Sequence, residues 1–372
     1  VMRFTLTSFC RPAAMALLAV AFSVNAMAEP TWVDRLAPGG VQKPAWAERL
    51  EARLALLEAG FNGEIGLHVR ELGEGGARYG WRDGESWYLA SLIKVPVAIE
   101  LMARVEAGEA SLDDRLVLLE SDYVDGAGPT NWAPPGSEPR LRQLLEPMLI
   151  VSDNTASDML IRHVGLDAVN RRARSLVADS RGLGPITTLE DVRRHVYAGL
   201  HPDAFALTGR DFIELRKHGN DAERLDWFIR RLGLAPEALR LPTLEAAFDA
   251  YYASDLNSGR LDSFGDLLAE LGEGRALGAA ASAELLSIMT RTTSGDRRLK
   301  SGFGSDVRFA HKTGTQHRRT CDAGIASHGQ GDALRKVVVV ACVRGESNVV
   351  RSESVMAGIG RAMREAGVFA RH

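Results

Sequence analysis

Three short strings stand in a fixed order in this 372-residue chain: Ser91-Leu92-Ile93-Lys94, Ser152-Asp153-Asn154 and Lys312-Thr313-Gly314. Average residue usage predicts about one chance Ser-x-x-Lys in a chain this long, and each of the other two triplets about 0.05 to 0.1 times. The ordered set has accidental odds on the order of one in a thousand. Singly, each string has a plain structural explanation: a helix cap, a turn, and a strand that ends at a turn. Jointly they demand a fold that carries a helix start, a polar break between helices and a strand to one place.

Each string supplies a part of an acyl-transfer site. A serine hydroxyl is a poor nucleophile until a neighbour takes its proton. Ser91 precedes a mostly apolar run with Pro96 early in it, which fits a buried helix with proline in its first turn. Lys94 then lies one turn on, with its amine near the hydroxyl. A desolvated, cation-flanked lysine loses its proton near neutral pH and serves as base. Ser152 sits in a polar break between two apolar segments. Its hydroxyl suits a shuttle that protonates the leaving nitrogen, and Asn154 offers a donor and an acceptor for a substrate amide and for Lys94. Asp153 is expected to face away and tie down the local backbone.

The third string follows Val307-Arg-Phe-Ala-His311, whose alternation predicts a strand. Gly314 lets another backbone approach closely. A ligand along this edge meets a cation at Lys312, hydroxyls at Thr313 and Thr315, and the Thr315 backbone N–H. That N–H and the N–H of Ser91 are the candidate oxyanion hole.

These motifs resemble those of the class A-like serine β-lactamases and their penicillin-recognising relatives. The likeness covers residues 85–165 and 260–345. It includes Ser294-Gly-Asp-Arg-Arg-Leu-Lys-Ser-Gly-Phe303, similar to the family's Thr-Gly-x-x-x-Ile-Arg-Ala-Gly-Leu segment, with Lys300 where arginine is usual. The resemblance implies an α/β (α+β) fold: a five-stranded antiparallel sheet flanked by helices, with an inserted, enlarged all-helical lobe and the site between the lobes. The expected organisation is a signal peptide over 1–28 and one catalytic domain over 29–372. Its α/β lobe would comprise 29–90 plus 300–372, and its helical lobe 91–299 with an insertion near 166–252.

Composition agrees with a core-forming chain: 45% hydrophobic and 25% charged residues bury a full core without metals or many disulfides. A net charge of -3 gives no sign of a nucleic-acid partner. At the N-terminus, Arg3 and Arg11 precede an apolar run, and Ala26-Met27-Ala28 forms a small-x-small cleavage site. Export to the periplasm is expected, with no membrane association after cleavage and a monomer acting on a small β-lactam. Cys10 precedes the apolar run, so a lipid-modified cysteine at the cleavage site is not indicated. Cys321 and Cys342 fall in a predicted hairpin whose loop permits their direct opposition. A disulfide suits an oxidising compartment. The alternatives are two buried thiols, or a metal site such as zinc drawing on His311, His317 and His328. No cofactor is otherwise expected.

Helical spacing of Trp46, Leu50, Leu54 and Leu57, a hairpin over 65–81 and an amphipathic tail over 348–366 fit the same architecture. The middle of the chain departs from the family. Class A enzymes carry a loop glutamate, in a Glu-x-x-Leu-Asn setting, that activates the water releasing the acyl group. The nearest match here is Glu245-Ala-Ala-Phe-Asp249, which also fits a plain amphipathic helix. Its rival, Asp255-Leu256-Asn257, has Ala253 where the glutamate should stand. His195, His201 and His218 are expected at surfaces or helix ends. Three functions follow: a β-lactam hydrolase acting through Ser91, a penicillin-binding DD-peptidase or esterase relative that releases its acyl group slowly, or a non-catalytic periplasmic binding protein.

Overall fold

The computed structural model describes residues 44–370, so the signal peptide expected over 1–28 lies outside the described residues. Alternating valines organise the centre of the fold. In β7 (Arg335–Arg344), Val337, Val339 and Val343 enter one apolar core while Val338, Val340 and Cys342 enter another. A strand buried on both faces reads as a continuous apolar run for this reason. β7 pairs antiparallel with β1 (Glu64–Glu71) and with β6 (Arg319–His328). β2 (Arg78–Trp81) and β5 (Val307–Gln316) form the edges, giving one five-stranded antiparallel sheet in the order β2-β1-β7-β6-β5. A second, two-stranded sheet joins β3 (Ser86–Tyr88) to β4 (Ser258–Arg260).

Helices cover both faces of the large sheet. α1 (Ala47–Ala59) buries Ala47, Leu50 and Leu54 on one face, beside α12 (Leu299–Phe303) and the amphipathic α13 (Val349–Ala366), which Asn348 caps. The opposite face packs on a helical core built from α2 (Lys94–Glu106), α3 (Leu141–Ile150), α4 (Asn154–Val164), α5 (Leu166–Ser175), α10 (Leu261–Gly272) and α11 (Ala279–Thr290). α2 is apolar around most of its circumference because it runs through the middle of that core.

The helices between α5 and β4 have a core of their own. α6 (Leu189–Ala198), α7 (Gly209–Arg216), α8 (Asp221–Leu232) and α9 (Leu244–Tyr252) pack around Val196, Tyr197, Phe212 and Phe228, and Tyr88 and Ala90 belong to the same cluster. Val169 and Ala173 of α5 lie in the main helical core instead, so the separately cored part begins at α6 rather than at residue 166.

Cys321 and Cys342 stand directly opposite each other across β6 and β7 and are joined by a disulfide. Cys321 is therefore not a free thiolate for a metal, and the described residues contain no group of three or more His, Cys, Asp or Glu that could hold one. No helix among the described residues is long and apolar enough to cross a membrane.

Candidate active site

Ser91 lies in a tight 3-10 turn, Ala90–Ile93, that leads directly into α2, with Pro96 in the first turn of the α-helix. Residues other than glycine rarely adopt the left-handed backbone conformation, yet Ala90 does, with φ of 49°. The strand β5 presses on this turn. A Cβ at Gly314 would meet the Leu89 carbonyl oxygen at 2.7 Å, the Ala90 Cβ at 3.0 Å and the Ser91 nitrogen at 3.2 Å, so only glycine lets the strand come this close.

The ladder decides which backbone groups face Ser91. A Cα separation of 4.1 Å marks Cys321 and Cys342 as a pair without mutual hydrogen bonds, so Cys321 directs its backbone groups to β5, where Gly314 is its partner. Alternation then turns Thr313 and Thr315 outward at the sheet edge. Lys312 Nζ donating to the Thr313 carbonyl at 2.8 Å agrees with this orientation. The Thr315 N–H consequently points out from the edge of the strand that packs on the Ser91 turn.

Asp153 ties down the second string. Its carboxylate caps α4 by accepting from the Ala156 N–H and also accepts from the Thr130 N–H, both at 2.9 Å. Gly128, at φ of 111°, makes room for it: a Cβ there would lie 2.1 Å from Asp153 Oδ2. Ser152, at φ of 65°, turns both its carbonyl and its hydroxyl towards Lys94. Lys94 Nζ donates to the Ser152 carbonyl at 2.7 Å, to Ser152 Oγ at 3.2 Å and to Asn154 Oδ1 at 2.7 Å. Lys312 Nζ reaches the same Ser152 Oγ at 2.9 Å. One hydroxyl thus bridges two buried lysines.

Burial sets the charge state of this cluster. It pushes Lys94 down to about 7, against the pull of Asp153 and Asp158 and with help from Arg193. Burial also holds Lys312 well below the ordinary lysine range, reinforced by the positive charges of Lys94 and Arg298 and opposed by Asp322. Asp158, buried while accepting from the Leu189 and Glu190 N–H groups, is pushed up to about 7.

Two arginines complete the surroundings and were not singled out by their sequence context. Arg298 is buried, paired with Glu353, and donates to the carbonyls of Gly314 and Cys321 and to Thr315 Oγ1 at 2.7 Å. Arg193 bonds Asp125 at 2.5 Å. The family resemblance of Ser294 to Phe303 marks a segment but not which arginine in it turns inward.

Ser91, Ser152, Asn154, Thr313 and Thr315 line one cleft of about 610 Å³. Leu244 and Phe248 of α9 line it as well, but Glu245 between them pairs with Arg318 at the surface with its side chain 51% exposed. The cleft's two carboxylates, Asp125 and Asp221, are both paired with arginine. Among the histidines of the inserted helices, His195 packs on Phe205 and Tyr251, and His201 caps a short 3-10 turn.

The sequence model of a family described as the beta-lactamase enzyme family matches residues 48–211 and 213–366. A Rhodobacter capsulatus protein named beta-lactamase is 30% identical over 178 residues, which cover 47% of this chain and 54% of that protein, so the chain spans about half the length of this curated relative. A beta-lactamase from Xanthomonas campestris superposes with a TM-score of 0.63 at 21% identity, over 86% of this chain and 98% of that one. A mutant of PBP-A, solved as an acyl-enzyme complex with penicillin G, superposes with a TM-score of 0.60 at 20% identity, over 86% of this chain and 96% of that one. The sheet order, the helical lobe and the extent of the matched sequence agree, and the chain belongs to the beta-lactamase enzyme family.

Proposed function

We propose that this protein is an exported, periplasmic serine hydrolase that opens β-lactams through an acyl-enzyme on Ser91. The observation that carries this reading is the Ser152 hydroxyl held between Lys94 and Lys312 beside the Ser91 turn. Neutral Lys94 takes the Ser91 proton as the hydroxyl oxygen attacks the lactam carbonyl. The N–H groups of Ser91 and Thr315 hold the oxyanion. Lys94, now charged, returns the proton through Ser152 Oγ to the leaving nitrogen as the lactam C–N bond breaks. Lys312, Thr313 and Thr315 receive the substrate carboxylate, and Asn154 receives the acyl-side amide. No step calls on a cofactor. The PBP-A likeness supports the acylation half.

Deacylation needs a group that activates water, and Glu245 is the sequence candidate. Its pairing with Arg318, together with the arginine pairing of Asp125 and Asp221, favours a second reading in which the adduct is released slowly, as in a penicillin-binding peptidase. Ring opening followed by absorbance, with intact-protein mass at short times, separates the two. Turnover without accumulated adduct supports hydrolysis; a persistent adduct on the Ser91 peptide supports the second reading. Absence of both in folded protein leaves a non-catalytic binding role. Glu245→Gln slows deacylation about 10²-fold or more if Glu245 is the base; an unchanged rate removes it from the mechanism.

A further inference from the structure

We propose that the arm of the cleft lined by the inserted helices is a second anion subsite, which selects acyl donors bearing a carboxylate on the acyl side of the scissile amide. This inference rests on the reading of Ser91 as the acylated residue.

The arm begins at Asn154. Its Oδ1 is held by Lys94, and its Nδ2 donates to the Asp125 carbonyl at 2.6 Å. Beyond it the Asp125 carboxylate accepts from Arg193 Nε at 2.5 Å and from Arg216 Nη1 at 3.2 Å. One carboxylate neutralises only one of two guanidiniums, so this triad carries an excess positive charge. Arg193 is fixed and largely buried, whereas Arg216, in the last turn of α7, keeps 59% of its side chain exposed. Arg224 of α8 adds a third guanidinium to the same wall, anchored by Asp221 at 3.0 Å and by the His218 carbonyl at 3.2 Å.

Direction follows from the opposite end of the cleft. A substrate whose ring carboxylate lies against Lys312, Thr313 and Thr315 sends its acyl-side substituent away from them, past Asn154. A guanidinium fork at a half-exposed rim matches a planar carboxylate. Asp125 and Asp221 hold these arginines in place, and the arm keeps three positive groups against two negative ones.

The test uses the full purified chain and a pair of penicillins that differ only in carrying an α-carboxylate or the matching uncharged carboxamide on the benzyl side chain. Second-order rates of acylation at Ser91 are measured by intact mass where the adduct persists and as kcat/KM for ring opening where it turns over. The carboxylate compound is expected to acylate about fivefold faster, as befits a partly screened charge contact, with the advantage shrinking in high salt. Arg216→Gln and Arg224→Gln, on different helices, are each expected to move this ratio towards one, and Arg216→Glu to invert it. Circular dichroism checks that each variant is folded. Equal rates in the wild type, or a ratio untouched by both Gln variants, overturn the subsite and leave the Ser91 reading standing. Absence of both adduct and ring opening with every penicillin overturns the Ser91 reading, and the subsite with it.

Discussion

The proposed mechanism concentrates its proton transfer in one amine, that of Lys94. Its carbon stem lies in an apolar helical core while its Nζ meets four oxygens of the Ser152 to Asn154 turn, so it is desolvated and still held in place. With its value near 7, the rate of acylation should rise with pH through about 7 and then level, and Lys94→Met should lower it about 10²- to 10⁴-fold. A rate flat from pH 5 to 9 would remove Lys94 as base. Stability follows with a defined sign. The folded value lies below the unfolded one of about 10.4, so this lysine's favourable contribution is complete above about 10 and is lost as pH falls towards 7. The unfolding free energy of the wild type relative to Lys94→Met should therefore improve between pH 7 and 10, measurable by urea titration.

The edge strand β5 and the Ser91 turn form a single device at the next scale. Lys312 and Gly314 share the face that looks to the helical core, while the backbone of Thr313 and Thr315 looks outward at the sheet edge, where the proposed substrate would lie. Gly314→Ala would push the strand away from the Leu89 to Ser91 turn and part the two oxyanion donors. Acylation should fall about 10²- to 10³-fold with the fold retained; a loss below threefold would show that the donors are set elsewhere. These elements were legible in the sequence because their signals are local. Proline in the first turn after Ser91, strand alternation before Lys312 and an Asp153 cap each need only neighbours along the chain. Arg298 was not legible, since its burial depends on Glu353, a partner far along the chain, and a charged side chain by itself signals a surface. Glu245 shows the reverse limit. Its spacing fits a catalytic role and an exposed helix position alike, and in the structure it pairs with Arg318.

At the scale of the whole molecule, helices α6 to α9 pack against the chain that leads into the candidate nucleophile. Their core includes Tyr88 and Ala90, the residues that lead into Ser91, whereas the far side of the sheet has a core without such a connection. Phe228→Ala and Ile359→Ala both empty fully buried positions and should each cost about 2–5 kcal/mol. Only Phe228→Ala should also slow acylation at temperatures where both variants remain folded; equal slowing in both would sink the connection. The left-handed residues Ala90 and Ser152 carry this coupling into the prospects for engineering. Each stores about 1–3 kcal/mol of backbone strain, which glycine would release. A search for heat-resistant variants would thus be drawn to these two positions, and the gains found there would come at the expense of the rigid turn that aims the nucleophile and its proton relay.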